Sequence, residues 1–560
     1  MDLAPPARPA SWGLRAEVGL GLAVLLVWAV GVWLRTMELG SISLDQAAIH
    51  PHFYATLMAS GESWPGAGPP AAFFLRHGAL NAWVLALFQP WGDSLSDSVR
   101  VAAVLRSLAI PLVYLLGRAL GAPAWGLALA AVRAVAPDTV NLDRHFGGTY
   151  FLDPVLLATM WGLAAGQRAG ALRLAATGVG LVCLPLVHPM GFPAALGLGL
   201  GWAMMVWGRP QRVRIALASL VPLIPYAWVE LGSHLGGVRS VLAMLTGGVE
   251  FEAPGEEGVG LVWTLRLLLK DPGPWTLTVP ALLALLAAPA LVGVLFARRD
   301  LRDRIGLPAL GYAAGGAGLL VFLQVVQGGV GYGYGHHVMS AFLLATALLG
   351  ALWGRLAPAE GRRRAELIAG VVLALAVVPF LPRMATDSEG AARSWPWGMS
   401  ALGSIEEMAA LIDRERDGPV HLALVHAPDA QPAPPVALSA VVVALMQRGV
   451  PLSAFPQYPP EEPVKGWFVL VGEGAEITPP GEAMEYRDPH PQGQAMRVRV
   501  WRSADFMALK PWMEALPDGY ELYGTEEYQD LQEYYFARPV WPGRGGALPL
   551  LDSPYRSSDW

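Results

Sequence analysis

The sequence predicts a polytopic α-helical membrane protein with a small soluble domain at its C-terminal end. Of the 560 residues, 54% are AVILMFWYC types and only 15% are charged, and the mean hydropathy is +0.41. A water-soluble chain of this composition would expose large apolar patches. The apolar residues form long runs as far as residue 382, after which the composition becomes that of a soluble protein. These observations together predict the fold class.

Eleven apolar runs are long enough to span a membrane, since a helix needs about 20 apolar residues to cross a hydrocarbon core of roughly 30 Å. The first run is too long for a cleavable signal peptide, and no small-residue cleavage site follows it. The runs lie near 17–35, 98–117, 122–137, 150–166, 171–187, 191–208, 213–230, 275–297, 305–327, 336–354 and 365–382.

A twelfth apolar segment, residues 71–89, is expected to form a helix in the outer interface instead of a span. It contains Arg76, and an arginine at mid-bilayer costs about 2.5–3.5 kcal/mol on insertion scales. Without this span, the inner loops after the second span hold fourteen Lys and Arg residues and the outer loops after it hold four. Arg8 and Arg15 place the N-terminus on the richer side. The positive-inside rule therefore predicts eleven spans and a cytoplasmic N-terminus.

Two domains follow from this topology: a transmembrane domain over 1–382, with its first outer loop at 36–97, and a soluble extracytoplasmic domain over 383–560. The second has alternating helix and strand patterns, which predicts a small α/β or α+β domain. The predicted helices are 404–416 and 436–449, and the predicted strands are 421–425, 467–472 and 496–501.

Charge and cysteine content exclude several classes of function. The net charge of −6 is spread thinly and gives no indication of nucleic-acid binding. The single cysteine, Cys183, excludes intramolecular disulfides and cysteine-based zinc sites.

Asp45 is the first candidate catalytic residue, ten positions after Arg35, where the first span meets the outer surface. A carboxylate there can reach a lipid phosphate ester on one side and an aqueous acceptor on the other. The segment after it, AAIHPHFYATLMA, is expected to form a short interfacial helix. Ser43 or Asp45 could instead serve only as the N-cap of that helix, and both interpretations stay open.

Asp143, Arg144 and His145 form a second candidate group, just after Pro137 ends the third span. A guanidinium at this level can hold a phosphate through two parallel hydrogen bonds. The alternative is a solvated loop whose charged side chains extend to the interface. Arg133 is interpreted in this second way, as a snorkelling residue.

His336 and His337 form a third candidate group, in the glycine- and tyrosine-rich segment 328–342 between the ninth and tenth spans. Imidazoles and phenols suit a diphosphate or sugar site, although a Gly-rich turn with an aromatic anchor has the same pattern. Further histidines at 50, 52, 77 and 188 predict a histidine-rich outer face. None has the HExxH spacing of a metal site, so no cofactor is predicted and a divalent metal stays open.

The order of these motifs resembles the GT-C superfamily of membrane glycosyltransferases, above all bacterial relatives of protein O-mannosyltransferases and aminoarabinose transferases (family 39-type enzymes). That family has an acidic motif after its first span, interfacial helices, a Pro-Pro-apolar segment, a polar entry to the second span, a Y-x-x-G-R-x-x-G exit, and an arginine seven residues after a proline. In this chain the acidic motif is Leu44-Asp45-Gln46, the interfacial helices are 46–60 and the Pro-Pro-apolar segment is 69–73. The polar entry is Gly92-Asp93 with Arg100, and the exit motif is Tyr114, Gly117, Arg118 and Gly121. The last match is Pro137 with Arg144.

The likeness covers residues 36–190, and the later spans match only in their spacing. Two departures bear on activity. Gln46 stands where the family often has a second acid, and His336-His337 stand near the position of an Arg-Tyr pair. A catalytically inactive member is therefore an alternative.

The resemblance implies that a hexosyl or pentosyl group moves from a polyprenyl-phosphate donor to a glycan, lipid or protein acceptor, on the outer face of a bacterial inner membrane. By that analogy Asp45 is the general base. Arg144 would stabilise the leaving phosphate. The other substrate-binding residues would be Asp143, His145, His336, His337 and Arg76.

A transporter or flippase for a lipid or solute is the alternative from another class. It would need ionisable groups along a path through the spans. The sequence places most candidate charges at the outer ends of the spans, which favours chemistry at the surface.

The topology gives the first testable prediction. A reporter that is active only in the cytoplasm, fused after Trp560, should stay silent because eleven spans put the C-terminal domain outside. A strong cytoplasmic signal would support twelve spans instead.

Overall fold

A computed structural model describes residues 14–232 and 400–523. The first part has gaps at 45, 60–66, 71–75, 90–93, 121, 136, 145–150, 165–168 and 189–190. The second has gaps at 419, 427–434, 451–466, 472–476, 486–498, 504–508, 510, 513–514 and 518–520. The four apolar runs predicted between 275 and 382 lie outside the described residues.

Helices occupy all seven runs that the sequence predicts as spans between 17 and 230. The described N-terminal helices are α1 Leu14–Thr36, α2 Gln46–Ala59, α3 Leu80–Phe88, α4 Leu95–Ser107, α5 Ala109–Ala119, α6 Pro123–Val135, α7 Pro137–Arg144, α8 Leu152–Ala164, α9 Ala171–Val187, α10 Gly191–Trp207, α11 Arg212–Leu220 and α12 Leu223–Gly232.

Local sequence explains where several helices begin and end. Ser94 is the N-cap of α4, and its hydroxyl accepts from the Asp97 backbone N–H at 3.1 Å. Pro111 stands in the first turn of α5, where a proline is tolerated, and Leu108 between α4 and α5 keeps a right-handed helical conformation. Pro137 stands at the first position of α7, so α6 stops at Val135, as the sequence predicted.

Large apolar side chains on the outside of the helices indicate a membrane protein. Leu22, Leu26 and Trp33 on α1 are each at least 62% exposed, and α10 to α12 have similar faces. Water does not tolerate apolar surface on this scale. By length and hydropathy, two stretches in the described part can cross a bilayer, Glu17–Thr36 and Leu95–Ala119, and the other apolar helices there are shorter. The count of eleven spans stays a prediction.

Helices α5 and α6 pack with almost no space between their backbones. A Cβ at Gly117 would lie 2.4 Å from the Gly126 Cα, and a Cβ at Gly126 would lie 2.8 Å from the Tyr114 carbonyl oxygen. Glycine is therefore required at both positions, and the short connection between the helices keeps them antiparallel neighbours.

The segment between α1 and α4 has several short elements among its described residues. It contains the 3₁₀ turn Leu39–Ser41, strand β1 Ser43–Leu44, helix α2, an antiparallel hairpin of β2 Ala67–Pro70 and β3 Arg76–Gly78, and helix α3. The prediction of one helix over 71–89 is therefore wrong, because Arg76–Gly78 forms strand β3. Helix α3 has nine residues and is about 14 Å long, too short to cross the bilayer.

The described C-terminal residues form a mixed five-stranded sheet with two helices. Its strand order is β7-β8-β6-β5-β9, and β5 and β6 form its one parallel pair. The elements are β4 Ser400–Ala401, α13 Leu402–Glu415, β5 His421–His426, α14 Pro435–Gln447, β6 Trp467–Val471, β7 Glu482–Met484, β8 Arg499–Ser503 and β9 Glu521–Tyr523. Each predicted helix and strand of this region overlaps an observed one.

The C-terminal elements pack directly on the segment between α1 and α4. Strand β4 pairs antiparallel with β1, outside the five-stranded sheet. Helix α14 lies against α2, and α13 lies against the 3₁₀ turn Leu39–Ser41. Helix α2 is consequently covered by protein: Ile49, Phe53 and Leu57 are each at most 2% exposed.

Candidate functional site

A cluster of buried charges joins the ends of several helices around Asp143 in α7. The Asp143 Oδ2 accepts from the Arg35 Nε at 2.7 Å and from the Arg133 Nη1 at 2.6 Å. Its Oδ1 accepts from the Arg133 Nη2 at 3.0 Å and lies 3.4 Å from the Arg106 Nε. Arg133 also pairs with Asp153 of α8 at 3.3 Å. One carboxylate thus holds arginines from α1, α4 and α6.

The cluster also satisfies backbone groups at the end of α6. Arg35 donates to the carbonyl oxygens of Ala134 and Arg133, both at 2.9 Å. These carbonyls belong to the last turn of a helix that stops at Val135, where intrahelical N–H donors are missing. The Arg133 carbonyl oxygen also accepts from the Thr139 Oγ1 at 3.1 Å. Arg106 donates to the Asp143 carbonyl oxygen at 3.1 Å, which ties the end of α7 to α4 in the same way.

Electrostatics keep Asp143 ionised. Burial alone would raise the pKa of this carboxyl, but the guanidinium groups of Arg133, Arg35 and Arg106 outweigh it and hold the pKa well below its ordinary value of 3.8. The side chain is 1% exposed and its two oxygens face arginines. Asp143 is therefore a poor proton acceptor and serves as the counter-ion of the cluster.

The sequence interpretation of Arg133 as a snorkelling residue is wrong. The side chain is fully buried and makes ion pairs with Asp143 and Asp153. Ionisable groups also occur inside the apolar runs, since Arg106 lies within the second and Asp153 within the fourth. A charge in such a position is stable only when paired, and these charges are paired with one another.

Arg144 points away from this cluster to the connector, residues 37–44, which runs from α1 to α2. Its Nη2 donates to the Glu38 carbonyl oxygen at 3.2 Å and to the Ser41 Oγ at 3.4 Å. Burial lowers the pKa of Arg144, and the nearby Glu38 carboxylate partly opposes this. Unlike Arg35 and Arg133, Arg144 makes no ion pair within the described residues.

The connector has an unusual backbone at the point that Arg144 holds. Glu38 has a φ of 49°, the only positive φ outside glycine in the described part of the chain. This left-handed conformation costs roughly 1–2 kcal/mol for an L-residue. The Glu38 carbonyl oxygen also accepts from the Ser41 Oγ at 2.8 Å. Such strained positions persist only where the surroundings fix them, and they concentrate at functional sites.

The structure describes only some of the predicted site residues. Asp45 lies outside the described residues, directly between β1 and α2, and His145, His336 and His337 also lie outside them. Arg76 is the first residue of β3, which lies against α9. Arg144 bonds the connector, and the connector ends one residue before Asp45 in the sequence.

One histidine that was predicted on the histidine-rich outer face is not exposed. His52 is fully buried, and its Nδ1 lies 2.6 Å from the Ser98 Oγ. Burial lowers the pKa of this imidazole to about 3, so it is neutral at physiological pH. Among the described residues, no group of three or more His, Cys, Asp or Glu side chains is placed to hold a metal ion.

Sequence reasoning missed Arg35 and Arg106 as members of the site. The available signal was an arginine inside or at the end of an otherwise apolar run, which indicates a buried partner. What the sequence could not give was the identity of that partner, because Asp143 lies 108 positions from Arg35.

Comparison with known proteins gives structural similarity only. No protein-family model matches the chain, and no curated protein matches it. ArnT from Cupriavidus metallidurans, an aminoarabinose transferase, is 14% identical in its apo state, with a TM-score of 0.49 over 87% of this chain and 98% of that one. The same protein bound to undecaprenyl phosphate is 13% identical, with a TM-score of 0.48 over the same shares.

The Archaeoglobus fulgidus oligosaccharyltransferase in its apo form is 11% identical, with a TM-score of 0.43 over 78% of this chain and 65% of that one. ArnT and this enzyme are both GT-C glycosyltransferases, the class that the sequence motifs resemble. At these identities and TM-scores the similarity assigns no ligand and no residue role to this chain.

The Asp143 cluster gives the second testable prediction. Asp143→Asn should lower the free energy of unfolding by about 3–5 kcal/mol, because it leaves buried guanidinium groups without their counter-ion. Thermal or denaturant unfolding of the purified protein in detergent measures the change. Glu17→Gln is the control, since it breaks the exposed ion pair with Arg118 and should cost far less.

Acid titration checks the same assignment independently. Because the folded-state pKa of Asp143 is depressed, its contribution is present above pH 3.8 and is lost as the pH falls below that value. In the Asp143→Asn variant, the free energy of unfolding should lack this part of its decrease at acid pH. Equal stability of the Asp143→Asn and Glu17→Gln proteins would contradict the assignment.

Proposed function

We propose that this chain is a GT-C-type membrane glycosyltransferase that moves a sugar from a polyprenyl-phosphate donor to an acceptor on the outer face. The observation that carries the proposal is the connector. The motif Leu44-Asp45-Gln46 stands at its end, between β1 and α2, and Arg144 bonds the connector at Glu38 and Ser41. The carboxylate motif therefore follows, in the sequence, directly after the segment that Arg144 bonds, and Arg144 makes no ion pair in the described part of the chain.

In the proposed reaction Asp45 is the general base. It takes the proton of the acceptor hydroxyl while that oxygen attacks the anomeric carbon of the donor sugar. The bond from the anomeric carbon to the phosphate oxygen breaks, and the polyprenyl phosphate leaves with the electron pair. Attack from the face opposite the leaving group inverts the anomeric centre.

Arg144 is proposed to stabilise the negative charge that develops on the leaving phosphate. Its partners within the described residues are uncharged oxygens, and no described carboxylate contacts it. Further hydrogen bonds to the phosphate or to the sugar of the polyprenyl-phosphate donor are proposed to come from His145, His336, His337 and Arg76. Asp143 is proposed to act indirectly, by fixing the end of α7 from which Arg144 extends.

A transporter or flippase fits the buried charges less well. Arg35, Arg133 and Asp143 are at most 1% exposed and bond to one another. A conduction path would need polar groups that face a water-filled route. The proposal accordingly places the chemistry at the outer surface of a bacterial inner membrane, with the soluble domain outside; the donor sugar and the acceptor class are left to experiment.

Asp45 gives the third testable prediction. Asp45→Asn keeps the shape of the side chain and can still cap α2, since Asn caps a helix as well as Asp. It cannot accept a proton, so transfer from a radiolabelled polyprenyl-phosphate sugar should fall by about 10²–10⁴-fold. Donor binding should persist, which shows that the variant is folded.

Near-normal turnover of Asp45→Asn would reduce Asp45 to a helix cap. Glu38→Gln is the companion variant, because Glu38 is the other carboxylate between α1 and α2. Loss of turnover in Glu38→Gln alone would move the base to Glu38. The proposed function would be contradicted if both variants kept normal transfer. It would also be contradicted if the wild-type protein showed no transfer with any donor tried.

Arg144 gives the fourth testable prediction. Arg144→Lys should weaken donor binding about tenfold or more, since a point charge cannot reproduce the two parallel bonds of a guanidinium to a phosphate. Equilibrium binding of undecaprenyl phosphate, which carries the phosphate that the donor and the leaving group share, to the detergent-solubilised protein measures this. Unchanged donor affinity with a reduced kcat would instead restrict Arg144 to holding the connector.

A further inference from the structure

The connector is held from a second side by residues far along the sequence. Ser43 and Leu44 of β1 pair with Ala401 and Ser400 of β4. The Leu402 backbone N–H, at the first position of α13, donates to the Ile42 carbonyl oxygen at 2.8 Å. The three residues that precede Asp45 are therefore bonded to the C-terminal part of the chain.

Glu406 in α13 links this contact to the membrane-embedded helices. Its Oε1 accepts from the Ser96 backbone N–H at 2.9 Å, in the first turn of α4. A carboxylate is favourable there because the N-terminal N–H groups lack partners and the helix dipole is positive at that end. Its Oε2 accepts from the Arg448 Nη2 at 2.8 Å, just after α14. Glu406 thus bridges α4 and the two C-terminal helices.

The element that follows Asp45 is held by the same region. Helix α14 packs along α2, and the Gln447 Nε2 donates to the Thr56 Oγ1 at 3.2 Å. Both neighbours of Asp45 in the chain, β1 and α2, consequently contact residues 400–448, which we term the brace.

We propose that the brace positions the catalytic carboxylate, with Glu406 as its central positioning residue. The inference rests on the proposed function. The brace fixes β1 and α2, and through them the position from which Asp45 reaches the acceptor hydroxyl. The C-terminal region is then part of the catalytic unit and not a separate module for the acceptor alone. General-base catalysis requires this because a displacement of about 1 Å can cost roughly 10²-fold in rate.

Three variants of the full-length protein test this proposal. Glu406→Ala removes both bridges, Glu406→Gln keeps an acceptor for the Ser96 N–H but loses the charge, and Glu407→Ala changes an exposed neighbour on the same helix. We expect hydrogen exchange of the backbone at 42–46 to rise roughly tenfold in Glu406→Ala, the factor that a hydrogen bond to a charged group supplies. Glu406→Gln should be intermediate, and Glu407→Ala should match the wild type.

Transfer assays give the second measurement. Glu406→Ala should lower kcat about ten- to a hundredfold with a smaller change in the KM for the donor, since the brace bonds residues 42–44 while Arg144 bonds Glu38 and Ser41. Hydrogen exchange that is the same in Glu406→Ala and Glu407→Ala would overturn the brace, as would an unchanged kcat beside altered exchange. A wild-type protein without transferase activity would contradict the proposed function instead, while hydrogen exchange would still decide whether the brace fixes 42–46.

Discussion

The packing of α1, α4, α6 and α7 depends on one constraint, the pairing of the buried Asp143 carboxylate with three arginines. Asp143 holds Arg35, Arg106 and Arg133, so the ends of α1, α4 and α6 converge on α7. Charges removed from water are costly, and they are tolerated only if each finds partners of good geometry. The geometry here is specific, because Arg133 contacts both Asp143 oxygens while Arg35 occupies the carbonyls at the end of α6. Hydrophobic packing alone would leave the rotation and depth of these helices less defined.

This constraint determines what the adjacent residue can do. Asp143 and Arg144 are neighbours in sequence, but one faces the helices and the other faces the connector. Because Asp143 is fixed, Arg144 extends from an anchored helix end, and it can hold the left-handed Glu38 against its conformational preference. A rigid support of this kind suits a site that must keep its geometry while the substrate changes charge.

The sequence alone predicted the local and periodic features well. Helices lie in all seven apolar runs that fall within the described residues, and the C-terminal helices and strands lie near their predicted positions. Apolar periodicity and proline positions act over a few residues, so they can be read without tertiary structure. The segment 71–89 was predicted as a helix from its apolar length, whereas Pro70 and Gly78, at the ends of β2 and β3, mark the hairpin that forms there.

The arrangement of the candidate site could not be predicted in the same way. Positions 35, 106, 133 and 143 meet only after four helices have packed, and an apolar run with one arginine does not identify its partner. The pairing of β1 with β4 involves two residues on each side, too few to show an alternating pattern. Asp45, in contrast, was singled out from its place after the first span, which is information that the sequence contains.

The strand pairing has a consequence for the order of events during synthesis. Leu44 pairs with Ser400, which is made 356 positions later. At typical translation rates of about 5–20 residues per second, roughly 20 to 70 s pass between the two. During that interval the first helices can insert and pack, but the connector lacks the strand that fixes it. Under the brace proposal, an enzyme built in this way stays inactive while it is still emerging from the ribosome, and lipid-linked donor is not consumed by incomplete chains.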